Sequence, residues 1–333
     1  MIVAVTGASG FVGSNLVEEL VAQGHTVRAL AHTSEPTPRP PAGSSGAVSV
    51  IPGDVLDPGS LSRAFAGVEV VFHLAARISI TRHDEEAVMR TNVEGPRNVA
   101  AACLETGVRR LVHFSSVHAF AVPRDDQPMD ETTPLVSESS REAPAYDRSK
   151  SLGEREILRA VDRGLDAVIL NPSGIMGPND RAPSRIGQTV LDFAKGRFPM
   201  LVPGVYNWVD VRDVVFGAIA AATRGQRGHK YIVAGEVGSV RRIAELVAEA
   251  GGKRAPRFNA PMWLLGGVAP VVETVARWQN ASPLLTPQSL AILQSPCDFR
   301  SDKAGRELGY TPRTLSETIF DTVRWFRKAG HLD

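Results

Sequence analysis

Tyr146 and Lys150 stand four residues apart in the stretch Tyr146-Asp147-Arg148-Ser149-Lys150. On a helix that spacing puts both side chains on one face, one turn apart. A phenol with a pKa of ~10 is a poor acid or base at neutral pH, and a nearby ammonium favours its phenolate. The pair suits proton transfer to or from an oxygen, as in carbonyl reduction or alcohol oxidation. Tyr-x-x-x-Lys is a frequent chance match, so its weight depends on the elements around it.

Three further polar residues fall where they could join this pair. Ser116 follows the strand-like run Arg110–Phe114, and its hydroxyl is placed to bond a substrate oxygen and align it with Tyr146. Ser115 is its rival. His118 lies two residues beyond, either as a second acid or hydrogen-bond donor or as a partly exposed loop histidine. Asn92, in Thr91-Asn92-Val93-Glu94-Gly95, interrupts an apolar helical pattern; it either bonds backbone across the core near Lys150 or faces water. There is no nucleophile elbow and no HExxH motif, and neither Cys103 nor Cys297 has a partner at metal-ligand spacing, so no metal is expected.

The elements that must position these residues begin at residue 2. Ile2-Val3-Ala4-Val5 is a short apolar strand, and Gly7-Ala8-Ser9-Gly10-Phe11-Val12-Gly13 leads into a helix carrying Leu16, Val17, Leu20 and Val21. Glycines at such a turn allow positive φ and close approach of backbone to a pyrophosphate. The N–H groups that open the helix then face the anion. Gly7, Ser9, Gly10, Phe11, Val12 and Gly13 are therefore the expected cradle of a dinucleotide.

Strands follow at 25–31, 48–51, 68–74, 110–114 and 166–170, with helices at 58–65, 84–105 and 143–161 between them. This alternation implies an α/β fold, a Rossmann-type doubly wound parallel sheet. Residues 34–46, rich in Pro, Gly and Ser, read as a loop. After Asn171-Pro172 helices dominate, at 184–195, 212–222, 240–250, 287–294 and 315–328, with a strand at 230–233. The expectation is a dinucleotide-binding domain over 1–170 and a smaller, mostly helical substrate-binding lobe over 171–333. Some of 205–235 would return to the sheet. Ligands bind at the carboxyl edge of such sheets.

The end of the second strand indicates which dinucleotide. An acid there bonds the 2′-hydroxyl of NAD, whereas a nearby Arg accommodates the 2′-phosphate of NADP. The position is Ala31, and Arg28, His32 and Arg39 lie close by. NADP(H) is favoured over NAD(H) on the missing acid. Asp54 is placed to bond the adenine amino group, with Val55 against the ring; Asp57, before Pro58, is the better helix cap. The small residues of His73-Leu74-Ala75-Ala76 would let backbone run beside the ribose and pyrophosphate.

With 37 basic and 36 acidic side chains and a net charge of +1, no global field recruits nucleic acid or an anionic membrane. Two cysteines in 333 residues fit a reducing cytoplasm, and a strand starting at residue 2 leaves no room for a signal peptide. No apolar stretch reaches the ~20 residues of a membrane span. The nearest, 263–275, is interrupted by Pro270 and Glu273.

Together the motifs resemble the extended short-chain dehydrogenase/reductase family, the NAD-dependent epimerase/dehydratase superfamily, over nearly the whole chain. They match in order: Gly7 to Gly13, Gly53-Asp54-Val55, His73 to Ala76, Asn92 to Gly95, Ser115-Ser116, Tyr146 to Lys150, Asn171-Pro172-Ser173-Gly174 and Asp210 to Val214. The resemblance implies that Ser116, Tyr146 and Lys150 form the catalytic triad, with Ser116 preferred over Ser115. It implies that Lys150 lowers the Tyr146 pKa and holds the nicotinamide ribose, and that Pro172, Ser173 and Gly174 contact the nicotinamide side. A homodimer built on residues 92–106 and the helix starting near Ala143 is likewise implied.

Sugar-nucleotide members usually carry Arg-Pro-x-x-x-Tyr-Gly-Pro after the sixth strand and Val-Tyr-Gly after the catalytic serine. Here the first reads Asn171 to Pro178, with Asn for Arg and Met176 for Tyr, and the second Ala119-Phe120-Ala121. Both departures point to the dihydroflavonol reductase-like and 3β-hydroxysteroid dehydrogenase-like branch, and so to reduction of an apolar or aromatic ketone or aldehyde. Arg77, Ile78, His118, Phe120, Met176, Arg185, Ile186, Met200 and Trp208 are the candidate pocket residues. The alternatives are a sugar-nucleotide epimerase or dehydratase with tightly held NAD, whose diphosphate Arg181, Arg185 and Arg212 would bind, and a dinucleotide-binding protein without turnover.

Overall fold

The structure, a computed structural model, describes residues 1–31, 46–78, 84–123, 127–140, 142–267 and 286–333. Its centre is a seven-stranded, wholly parallel sheet. The strands are β1 (Ile2–Thr6), β2 (Thr26–Ala31), β3 (Ala47–Pro52), β4 (Val70–His73), β5 (Arg110–Phe114), β6 (Ala167–Pro172) and, after two strands that lie elsewhere, β9 (Lys230–Val233). In space they run β3-β2-β1-β4-β5-β6-β9. Strand β4 is buried at every position and β6 likewise, as expected of parallel strands covered on both faces. Strand β3, at the edge, is mostly exposed.

One face is covered by α1 (Phe11–Ala22) and, later in the chain, α7 (Val211–Arg224); Leu16, Val17, Val214 and Ala218 form a single buried cluster with the strands. The other face holds α2 (Pro58–Phe65), α4 (Gly95–Thr106) and α5 (Ala145–Asp162), through Leu61, Phe65, Val99, Cys103 and Ile157. Asp57 caps α2, its carboxylate accepting the Gly59 N–H at 3.0 Å. The order reverses between β1 and β4, and the crevice at that switch point is where open α/β sheets take ligands.

The single helix expected at 84–105 is interrupted. Between α3 (Glu85–Met89) and α4 lies one π-helical turn, Arg90–Glu94. Pro96 stands four residues after Asn92 and has no N–H, so the Asn92 carbonyl loses its helical donor and the turn widens. Helix α5 packs against the gap: a Cβ on Gly153 would lie 2.4 Å from that carbonyl oxygen.

The second half adds a small sheet that the sequence reading did not include. Of 205–235, only β9 returns to the main sheet. Strand β8 (Val205–Asp210) instead pairs with β7 (Gly174–Met176) and β10 (Glu236–Ser239) in a separate three-stranded sheet. On it pack α6 (Arg185–Ala194), α8 (Val240–Glu249) and α11 (Leu315–Lys328), sharing a third buried cluster. Shorter helical segments lie at 262–267 and in α9 (Pro287–Ile292) and α10 (Asp302–Leu308). Helix α10 was not foreseen; Ala304 and Leu308 alone bury it, too few residues for a visible period.

Candidate active site

The glycine turn is built around two close approaches. Gly7 has φ +67°, and a Cβ there would sit 2.7 Å from the Ala75 nitrogen; one on Gly13 would sit 2.1 Å from the Gly7 carbonyl oxygen. Gly10 meets nothing nearer than that oxygen, at 3.4 Å, and no side chain caps α1. Thr6 Oγ1 accepts the N–H groups of Leu74 and Ala75, both at 3.2 Å, locking the two loops together. Its own proton goes to His73 Nδ1 at 2.8 Å, leaving the proton of His73 on Nε2. Burial, helped by the Lys150 charge, pushes His73 down to about 3, so this histidine stays neutral. The turn, the uncapped helix end and the Leu74–Ala76 backbone thus lie together, where they could hold a pyrophosphate.

Ser116, Tyr146 and Lys150 are brought together as expected. Ser116 follows β5, and its Oγ accepts the His118 N–H at 3.2 Å as the cap of a 3₁₀ turn, Val117–Ala119. The Ser116 side chain acts on the Tyr146 phenol, drawing its pKa down against burial. Lys150, one turn along α5, donates from Nζ to the Phe114 carbonyl at 2.9 Å. Ser115 is buried as well, with its Oγ unpartnered.

The electrostatics correct one expectation. Tyr146 is pushed up to about 12, not lowered: burial outweighs the Ser116 effect, and the Asp147 charge acts in the same direction as burial. Burial also brings Lys150 down to about 8, opposed by the Glu154 carboxylate. Lys150 directs its ammonium at a carbonyl of β5, and Tyr146 remains a phenol at neutral pH.

Several positioning residues escaped the sequence reading. Asn171, at the end of β6, donates from Nδ2 to the Ser116 carbonyl at 3.0 Å and to Glu154 Oε1. Glu154 is fully buried, and Lys230 of β9 pairs with it at 3.1 Å. Glu154 lies one turn beyond Lys150, and a carboxylate on a helix's buried stripe was the signal available. Tyr206 of β8 had no such signal. Its hydroxyl bonds His118 Nε2 at 2.9 Å, and Asp147 lies 3.5 Å from His118 Nδ1. The His118 ring, partly exposed in the 3₁₀ turn, stands edge-on to Tyr146, centroids 5.9 Å apart.

Asn92 takes the first of its two expected roles. Its Oδ1 accepts the Arg77 N–H at 2.8 Å, and its Nδ2 donates to the Arg77 carbonyl and to Ser149 Oγ, both at 2.9 Å. Asp54 turns Oδ1 to the Leu56 N–H at 2.9 Å, and the Val55 carbonyl accepts from Asn98. Ser173 gives its hydroxyl to Asn207 Oδ1 at 2.7 Å, between Pro172 and Gly174. Arg28 is committed elsewhere: Nη1 donates to the carbonyls of Ala64 and Ala66, at 2.8 and 2.7 Å, where α2 ends. It is not the cation near the ribose. His32 and Arg39 lie outside the described residues.

The pocket candidates separate. Met176, Ile186, Met200 and Trp208 line one cavity of about 180 Å³, whose other walls include Val190, Phe193, Ile243 and Leu293. Among its lining residues are no charged side chains. Trp208 links it to the site through Tyr206, ring centroids 5.4 Å apart. Phe120 is no pocket residue: it is buried with Val117, Met129 and Ile232, beneath the Lys230 ammonium. Ile78 is exposed and Arg77 pairs with Asp84 at 3.1 Å. Arg185 is half-buried, with Nη1 lacking a partner.

Residues 3–234 match the NAD-dependent epimerase/dehydratase family. The chain belongs to this family. Its members bind NAD(P), and the chain is accordingly an oxidoreductase of the extended short-chain type. It is 35% identical over 333 residues to sterol demethylase protein B of Methylococcus capsulatus, covering 99% of each chain. It is also 35% identical over 332 residues to a putative dihydroflavonol 4-reductase of Synechocystis, covering 98% of this chain and 95% of that one. Among solved structures, the crystal structure of gox2253 superposes with a TM-score of 0.83 at 38% identity, covering 100% of this chain and 99% of the other.

Proposed function

We propose that this family member is an NADP(H)-preferring reductase of apolar ketones or aldehydes. The observation that carries the reading is the uncharged cavity behind Trp208, joined to Tyr146 through Tyr206 and His118. A diphosphate substrate needs cations instead. Arg212 is held by Asp210 and Asp321, at 2.6 and 2.8 Å, and Arg181 by Glu18 at 2.5 Å. The names of the two relatives, a sterol demethylase protein and a dihydroflavonol reductase, point the same way.

In this reading the Gly7–Gly13 turn and the Leu74–Ala76 backbone hold the pyrophosphate, with Asp54 and Val55 at the adenine. Lys150 holds the nicotinamide ribose, and Pro172, Ser173 and Gly174 flank the nicotinamide. The preference for NADP(H) rests on Ala31, which supplies no acid for a 2′-hydroxyl. When bound, the reduced cofactor supplies a hydride for the carbonyl carbon. The chain supplies the proton. Tyr146 passes it from Oη to the substrate oxygen as charge develops there, and the Ser116 hydroxyl donates a hydrogen bond to the same oxygen. A tyrosine raised to about 12 is a phenol at neutral pH, and so carries the proton that reduction of a carbonyl requires.

The unpartnered Nη1 of Arg185 favours the second reading, a sugar-nucleotide epimerase or dehydratase. Nicotinamide absorbance separates the two. Net oxidation of NADPH by bulky apolar ketones supports the first. Conversion of a nucleotide sugar with no net change, and no turnover of any carbonyl, would sink it.

A further inference from the structure

The segment that packs on Val202 and Leu290, two residues lining the apolar cavity, presents aromatic side chains to solvent. Phe258 is 72% exposed and Trp263 79%, five residues apart, with Met262 at 37%. Among the described residues they are the two most exposed aromatics. The same stretch, residues 251–267, carries Lys253, Arg254 and Arg257, all exposed, and not one acid. Glu249, just before it, faces Arg242 at 3.3 Å.

This surface is anchored. Leu201 donates to the Phe258 carbonyl at 2.9 Å and accepts from Ala260 at 2.8 Å. Arg241 holds the Arg257 carbonyl and Asn259 Oδ1. Residues 262–267 are helical, and Leu265 packs inward on Ala260 and Leu290, with Val202 beside them. Leu290 and Val202 also line the cavity. Met200 does so too while remaining 39% exposed, at the rim between cavity and patch.

We propose that Phe258, Met262 and Trp263, with the cations Lys253, Arg254 and Arg257, dock this protein on an anionic lipid surface. From there a lipophilic substrate enters the cavity past Met200. Exposed Trp and Phe gain by moving into the headgroup region, and flanking cations are attracted to anionic headgroups. No helix among the described residues is long and apolar enough to cross a membrane, so the contact is peripheral. The charge favours lipid: an apolar face built for a second copy would set these three cations against one another. The proposal extends the reading of an apolar substrate, but its assay requires no turnover, so either can fail alone.

The test is co-sedimentation of the full chain with vesicles of phosphatidylcholine, and with vesicles of equal parts phosphatidylcholine and phosphatidylglycerol. Binding to the mixed vesicles, weakened by salt, is expected. Phe258→Ser with Trp263→Ser should weaken it about tenfold or more. Arg254→Gln with Arg257→Gln should weaken it about fivefold for each cation removed. The second variant leaves the apolar contacts intact and serves if the first fails to fold. No binding to mixed vesicles at low salt would overturn the proposal, as would undiminished binding by either folded variant. A concentration-dependent dimer lost in the aromatic variant, without vesicle binding, would assign the face to a second copy.

Discussion

Asn171 holds Ser116 by its backbone: Nδ2 of the one donates to the carbonyl of the other at 3.0 Å. Behind Asn171 stands the buried Glu154–Lys230 pair, and Glu154 is also the group that opposes the lowering of Lys150. The hydroxyl and the ammonium of the triad are therefore supported by one carboxylate.

Removing that charge should lower Lys150 further. In Glu154→Gln, loss of activity on the alkaline side should begin at lower pH than in the parent, where it is expected around pH 8. The pH profile of kcat/KM checks this. An unchanged alkaline limb would mean that Lys150 titration does not govern it.

Lys150 should also mark the stability curve. Its folded value, about 8, lies below the ordinary 10.5. Between them the unfolded chain holds more protons, so unfolding free energy rises with pH across that window and is flat with respect to this group below it. Lys150→Met should remove this rise, read as the difference between the two proteins' denaturant midpoints from pH 8 to 10.5. Equal slopes would contradict the assignment.

The sheet was legible because its central strands are buried on both faces and read as short continuous apolar runs, β4 and β6 most plainly. The placement of Ser116, Tyr146 and Lys150 was legible because their spacings are local: a helical turn for Tyr146 and Lys150, a strand end for Ser116. The small sheet was not, since Val205–Asp210 pairs with partners about thirty residues away on either side and no local period records that. The same holds for Tyr206, placed beside His118 across 88 residues. Arg28 misled because charge near a strand end suggests a ligand, whereas its guanidinium was needed by the open carbonyls ending α2.

Cofactor choice should follow Ala31 and ignore Arg28. Ala31→Asp is expected to shift the ratio of kcat/KM for NADPH over NADH towards NADH by about tenfold or more, the repulsion and hydrogen bond each being worth on the order of 1 kcal/mol. Arg28→Gln should leave that ratio within about twofold and lower stability by roughly 1 kcal/mol through the lost helix-end bonds. A collapse of NADPH preference in Arg28→Gln would return Arg28 to the site.

The π-helical turn makes a steric prediction. Gly153→Ala puts a methyl 2.4 Å from the Asn92 carbonyl and should cost about 1–3 kcal/mol in thermal or denaturant unfolding. A change of a few tenths would show that α5 shifts at no cost to accommodate it.

The proton of Tyr146 is the centre of the proposed reaction. Steady-state oxidation of NADPH by a bulky apolar ketone, compared between the parent and Tyr146→Phe, measures it directly. A fall in kcat of about 10²–10⁴-fold with little change in KM is predicted, since the phenol acts on the oxygen as its charge develops. Activity within a few-fold of the parent would contradict the proposed role.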